Sequence, residues 1–152
     1  MLLRSVFQAS LALTAFGWIG ALQGASAADL NPAAIAITPP KDIKWVIGKG
    51  NDSAVLAGDP TKPGIYVTLN RWHKNSNSRP HSHPNDRYIM VLSGTWWVAT
   101  GTDYDLNRMV PVAAGSAVTH FGKEIHWDGA KDEECVLEIV GMGPATNIPA
   151  EK

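Results

Sequence analysis

The chain has one cysteine, Cys135, so no internal disulfide can staple it. It also lacks an excess of either charge. Lys and Arg number 13 and Asp and Glu 14, for a formal net charge of −1. That balance points neither to nucleic acid nor to an anionic membrane surface as a partner. No stretch carries the apolar period of an amphipathic helix of useful length, and no repeat of solenoid period occurs. What remains is a chain of mixed composition whose order must come from short elements.

Those elements are marked by punctuation. The 152 residues include 14 Gly and 10 Pro, many of them between short apolar runs. Short strands with turns at regular spacing read as an all-β sandwich or barrel. The length suits one domain of ordinary size, and 45% hydrophobic residues suffice for a core. Six tryptophans are many for this length and are expected to line a core or a pocket.

Residues 1–27 read as a secretory signal peptide: Arg4, then an apolar run from Val6 to Leu22, then Ala25-Ser26-Ala27 as a cleavage site. An uncleaved anchor is the competing reading, although the apolar core is short for a span of about 20 residues. The mature chain is expected to begin near Ala28 and to lie in the periplasm or outside the cell, free of the membrane. Residues 28–42 form an Ala- and Pro-rich arm, 43–144 the domain, and 145–152 a tail.

Within the domain, Ile43 to Ile47 reads as a first strand and Lys49 to Ser53 as a turn. Ile65 to Trp72 alternates as a half-buried strand, with Ile65, Val67 and Leu69 on one face. Tyr88 to Leu92, Thr95 to Thr100, Met109 to Val112, Ala117 to Phe121, Ile125 to Trp127 and Val136 to Val140 are further strands. Gly129 to Glu134 reads as a polar turn. Tandem Trp96 and Trp97 must face opposite sides of a regular strand. Cys135 sits in an apolar run and reads as a small buried hydrophobe.

The chemistry gathers at Arg79-Pro80-His81-Ser82-His83-Pro84. In an extended segment residues i and i+2 share a face, so both imidazoles can aim at one point. His126 offers a third ring. With Gly94 and Gly115, these residues resemble the two short motifs of the small single-domain cupins. The stretch Leu56 to Tyr66 with Val91 to Thr95 is similar to an uncharacterised bacterial branch of them. Gly94, His81 and His83 match the first motif; Asn75 stands at its first glycine and Arg87 at its glutamate. Gly115 and His126 match the second, with Phe121, Lys123 and Ala130 at its Pro, Gly and Asn positions.

The resemblance implies a jelly-roll barrel, or double-stranded β-helix, that binds a divalent metal through His81, His83 and His126. It also implies a small organic substrate, dioxygenase-type chemistry, and pairing of two copies as a homodimer. Imidazole suits Fe, Mn, Ni, Cu and Zn alike, so the ion stays open. A bound ion would draw the three ring nitrogens to within about 3.5 Å of one another.

Arg87 has three readings: it holds an anionic group of the substrate, it pairs with Asp128, Glu138 or another acid, or it marks a metal site that has decayed. Asp86 should point to the opposite face. Asp128 either orients a histidine, pairs with Arg87, or is a turn residue. His120 is a candidate general acid or base, since an ordinary imidazole titrates near working pH. Tyr88, Met90, Phe121, Trp127 and Trp96 or Trp97 either wall a pocket or fill a core. The rival to an enzyme is a non-catalytic ligand- or metal-binding module.

Overall fold

The computed structural model describes residues 30–150. The signal-peptide reading falls on residues outside these. Residues 30–37 belong to a unit separate from the rest and turn at Asn31, whose carbonyl accepts from the amides of Ala34 and Ile35. From Thr38 onward the chain is a β-sandwich of eleven strands in two antiparallel sheets. The all-β jelly roll read from the sequence is what forms.

The strands are β1 (Asn51–Ala57), β2 (Gly64–Trp72), β3 (Ser76–Asn77), β4 (His81–Ser82), β5 (Arg87–Ser93) and β6 (Thr95–Thr100). They continue as β7 (Val110–Ala113), β8 (Ala117–His120), β9 (His126–Ala130), β10 (Cys135–Gly143) and β11 (Ile148–Pro149). One sheet runs β1-β2-β10-β5-β8 and the other β11-β4-β9-β6-β7, with β3 on β9. Among the described residues no helix is long and apolar enough to cross a membrane.

The core lies between the sheets. Tyr66, Trp72, Ile89, Val91, Trp96, Leu137 and Ile139 are its large members, with Cys135 and Ala130 filling between them. Fully buried aliphatic side chains such as Val91, Leu137 and Ile139 each contribute about 1.5–3 kcal/mol of transfer free energy. Burial pushes the Cys135 thiol up to about 12, so it stays protonated and inert. Trp96 is wholly buried, whereas Trp97 faces outward beneath the Lys131 ammonium at 3.9 Å.

Several boundaries differ from the sequence reading. Ile43 to Ile47 contributes only a bridge from Val46 to Ser53, and the expected turn at Asn51 to Ser53 is the start of β1. On β2 it is Tyr66, Thr68 and Trp72 that face inward, while Ile65 is 68% exposed. Gly129 and Ala130 continue β9, and Ile148 and Pro149 of the tail pair with Ser82 and His81.

Asp52 ties the edge of the first sheet together. Buried in β1, it accepts from Arg71 Nε at 3.0 Å and Nη2 at 2.6 Å, from the Gly48 amide, and pairs with His73 Nε2 at 2.9 Å. The Arg71 hydrogen bonds hold its carboxyl below the usual range. Trp45 stacks on the other face of Arg71, 4.4 Å from its guanidinium carbon.

The four positions that carry the motif turns share one backbone conformation. Gly94 and Gly115 have φ of 69° and 86°. Asn75 and Lys123, which stand where the cupin motifs have glycine, are the two non-glycine residues of positive φ among the described residues, at 59° and 69°. The side chain has changed there and the turn has not.

Candidate metal centre

The site sits where β4 and β9 of one sheet face β5 and β8 of the other. His81 and His126 are cross-strand partners, and His83 follows directly after β4. Arg87 opens β5 directly opposite His120 on β8. Arg87, Ile89 and Val91 alternate toward the interior, so the guanidinium enters the same space as the histidine rings.

The structure brings His81, His83 and His126 together and buries all three. Their ring centroids are 4.7–5.3 Å apart. Each Nδ1 lies against a backbone carbonyl: Arg79 at 2.8 Å for His81, Thr146 at 2.9 Å for His83, Glu124 at 3.1 Å for His126. A carbonyl only accepts, so every Nδ1 carries the proton and every Nε2 keeps a lone pair. The Nε2 of His126 is buried with no partner at all.

Burial is the main cause that lowers two of these rings, His83 and His126. It pushes His83 down to about 3, with the Arg87 charge adding to it. His126 is lowered first by burial and then by His81. Three buried imidazoles, each with Nδ1 turned to a carbonyl and Nε2 left to ligate, fit a divalent transition ion. Their candidate ligand atoms lie within 4.8 Å of one another, a looser grouping than the roughly 3.5 Å a bound ion would draw them to.

Arg87 does not pair with an acid. Its Nη1 donates to His83 Nε2, and its Nε is buried without a partner. The pairing with Asp128 or Glu138, one of the three readings of Arg87, is therefore absent among the described residues. Glu138 lies in an outer groove with Tyr88 and Met90. Asp128 is buried inside but already engaged, accepting from Trp96 Nε1 and Ser78 Oγ, both at 3.0 Å. It braces β9 from within and, among the described residues, makes no hydrogen bond to a histidine. Asp86 points away, as read, and accepts from the Gly122 amide at 2.7 Å.

His120 stands beside His126 with ring centroids 3.8 Å apart, and beside Trp96 at 5.2 Å. Its Nδ1 is buried without a partner. Burial, with the neighbouring His126 next, pushes it down to about 2, so its imidazole does not titrate near neutral pH.

Above these groups opens a cavity of about 730 Å³. Its wall is more polar than expected. Trp72 is its one aromatic residue, and Asn51, Asn70, Asn77 and Asn147 supply amides. Tyr88 and Phe121 are 59% and 64% exposed on the outside, and Trp127 is covered by Tyr104, ring to ring at 4.7 Å. Tyr104 also donates its hydroxyl to Asn77 and carries the Arg79 guanidinium over its ring at 3.9 Å. It lies in a polar loop without periodicity, so no sequence signal singled it out.

No family model matches the chain, and no curated protein matches it. Solved structures do. The polyketide cyclase RemF from Streptomyces resistomycificus is 19% identical, with a TM-score of 0.65 over 78% of this chain and 87% of its own. A double-stranded β-helix protein from Klebsiella pneumoniae is 18% identical, at 0.59 over 76% and 97%. A cupin-2 domain protein from Rhodospirillum rubrum is 15% identical, at 0.60 over 78% and 81%. The fold is that of the small single-domain cupins.

Proposed function

We propose that this cupin barrel holds one divalent transition metal at His81, His83 and His126 and acts on a small organic molecule in the cavity above. The observation that carries the reading is the shared tautomer: three backbone carbonyls fix three Nδ1 protons and leave three buried Nε2 lone pairs. When bound there, Fe(II) would supply the electron and dioxygen chemistry of a dioxygenase, and Zn(II) an acidified water.

The remaining groups bind and position. Asp128 holds β9, and with it His126, through Trp96 and Ser78. Arg79, Asn77 and Tyr104 fix one rim of the cavity. His120 is a neutral neighbour of His126 and lines the cavity beside it. A polyketide cyclase among the structural neighbours supports chemistry on small organic molecules.

One observation favours a second reading, a metal-free ligand-binding module. Arg87 Nη1 occupies the lone pair of His83 that an ion would need. Metal binding thus requires the guanidinium to move aside, and the two readings compete for one atom. Elemental analysis of protein expressed to its native compartment, beside His83→Ala, decides between them. The metal reading expects near-stoichiometric metal in the first and loss of most of it in the second. Metal-free wild type, or equal metal in both, overturns it. The intact mass of the same sample is expected to show a chain beginning near Ala28, the mark of export.

A further inference from the structure

The charges around the cavity do not balance. Arg79 and Arg87 line it, and among the described residues Asp128 is the one carboxylate that does. Asp128 spends its two oxygens on Trp96 and Ser78. Arg79 is spread over the Tyr104 ring, which offers partial compensation for its charge. Arg87 has none: among the described residues its contact is a neutral imidazole, and no acid lies within ion-pair distance. Arginine keeps its proton in proteins, so it cannot escape by neutralising. A half-buried cation without an anion is a cost that a ligand can remove.

We propose that the cavity takes a small organic carboxylate, seated on the Arg87 guanidinium at the inner end and reaching toward the Asn51 and Asn70 amides. The guanidinium fork matches a carboxylate with two parallel hydrogen bonds. The same anion draws Arg87 off His83 and frees the lone pair that it covers. Ligand and metal therefore assist each other: the carboxylate releases a ligand nitrogen, and a divalent ion makes the cavity more attractive to an anion. Coupling of this kind is reciprocal. The inference rests on this cavity being the functional site, and it stands with or without a bound ion.

The test is calorimetric titration of acetate, benzoate and succinate, each beside its neutral amide, into full-length mature protein. It is run on protein dialysed against chelator and on protein loaded with Zn²⁺, for wild type, Arg87→Gln and Arg87→Lys. The expected result is binding of at least one carboxylate, with its amide weaker by about tenfold or more. Arg87→Gln should lose about tenfold or more, and Arg87→Lys less. Absence of carboxylate binding, equal affinity for acid and amide, or unchanged affinity in Arg87→Gln overturns the proposal. The acid–amide comparison in wild type stands even where a variant fails to fold. Arg87-dependent binding in a protein that takes up no Zn²⁺ and holds no metal in the elemental analysis above sinks the metal reading and keeps this one. Zn²⁺ uptake with carboxylate binding indifferent to Arg87 does the reverse.

Discussion

At the scale of single residues, Lys123 is the position where the chain carries a cost. Its φ of 69° is one a side chain with Cβ disfavours by roughly 1–2 kcal/mol. Its amide donates to the His83 carbonyl at 2.7 Å, so the strained turn is also a brace for the site. Lys123→Gly relieves the strain and gives back part of the gain as unfolded-chain entropy. We expect a net stabilisation of about 0.5–1 kcal/mol in urea unfolding. Asn75→Gly, at φ 59°, should gain less, because asparagine tolerates this region. A loss of stability in Lys123→Gly would mean that the side chain contributes more than its backbone costs.

At the scale of elements, the turn after β5 sets how β6 leaves the sheet. Gly94 has φ of 69°, and a Cβ there would lie 2.1 Å from the Glu134 carbonyl oxygen. The atoms it would meet are the Glu134 carbonyl oxygen and the Cα and Cβ of Cys135, none of them the end of a flexible side chain. Gly94→Ala should cost on the order of 3 kcal/mol or more in denaturant unfolding, and a cost below about 1 kcal/mol would show that the turn can re-form. This glycine was legible in the sequence because a turn of fixed spacing demanded it. So were the three histidines, whose motif spacing survives. Other elements left no such trace. Gly129 reads as a turn residue, yet it is a glycine because Ser76 of β3 crosses it, with a carbonyl oxygen 2.2 Å from where a Cβ would be. The two-residue strand β11 is too short to show any period. On β5 and β2 an apolar outer face has the same period as the inner one, so alternation alone could not say that Tyr88 and Ile65 point outward. Asp128 was read as a partner for a histidine or Arg87. Its actual partners, Trp96 and Ser78, lie 32 and 50 residues away in the chain.

At the scale of the whole molecule, stability should fall toward acid in two stages with separate causes. His83 and His120 have folded values of about 3 and about 2, below the ordinary imidazole value near 6.5. Above that value both states are neutral and the pair contributes nothing. As the pH drops below it the unfolded chain takes up protons that the folded chain refuses, and stability declines. Asp52 acts lower down. Its folded value is depressed, chiefly by Arg71, so its contribution is complete above about pH 4 and is lost as the pH falls further. Thermal unfolding of chelator-treated protein between pH 7 and 3 should show both limbs. His120→Gln should flatten the upper one and Asp52→Asn the lower one, whatever each does to the absolute Tm. A profile unchanged in slope by either variant would refute the assignment. The His83 ring also has a history in time. The carbonyl that fixes its proton belongs to Thr146, made 63 residues after it, and the strand that pairs with His81 is made later still. Until those residues are added, His83 lacks the carbonyl that sets its tautomer, and His81 has β9 on one side without β11 on the other. The pocket is complete only once residues 146–149 have been added, so whatever it binds is acquired after them.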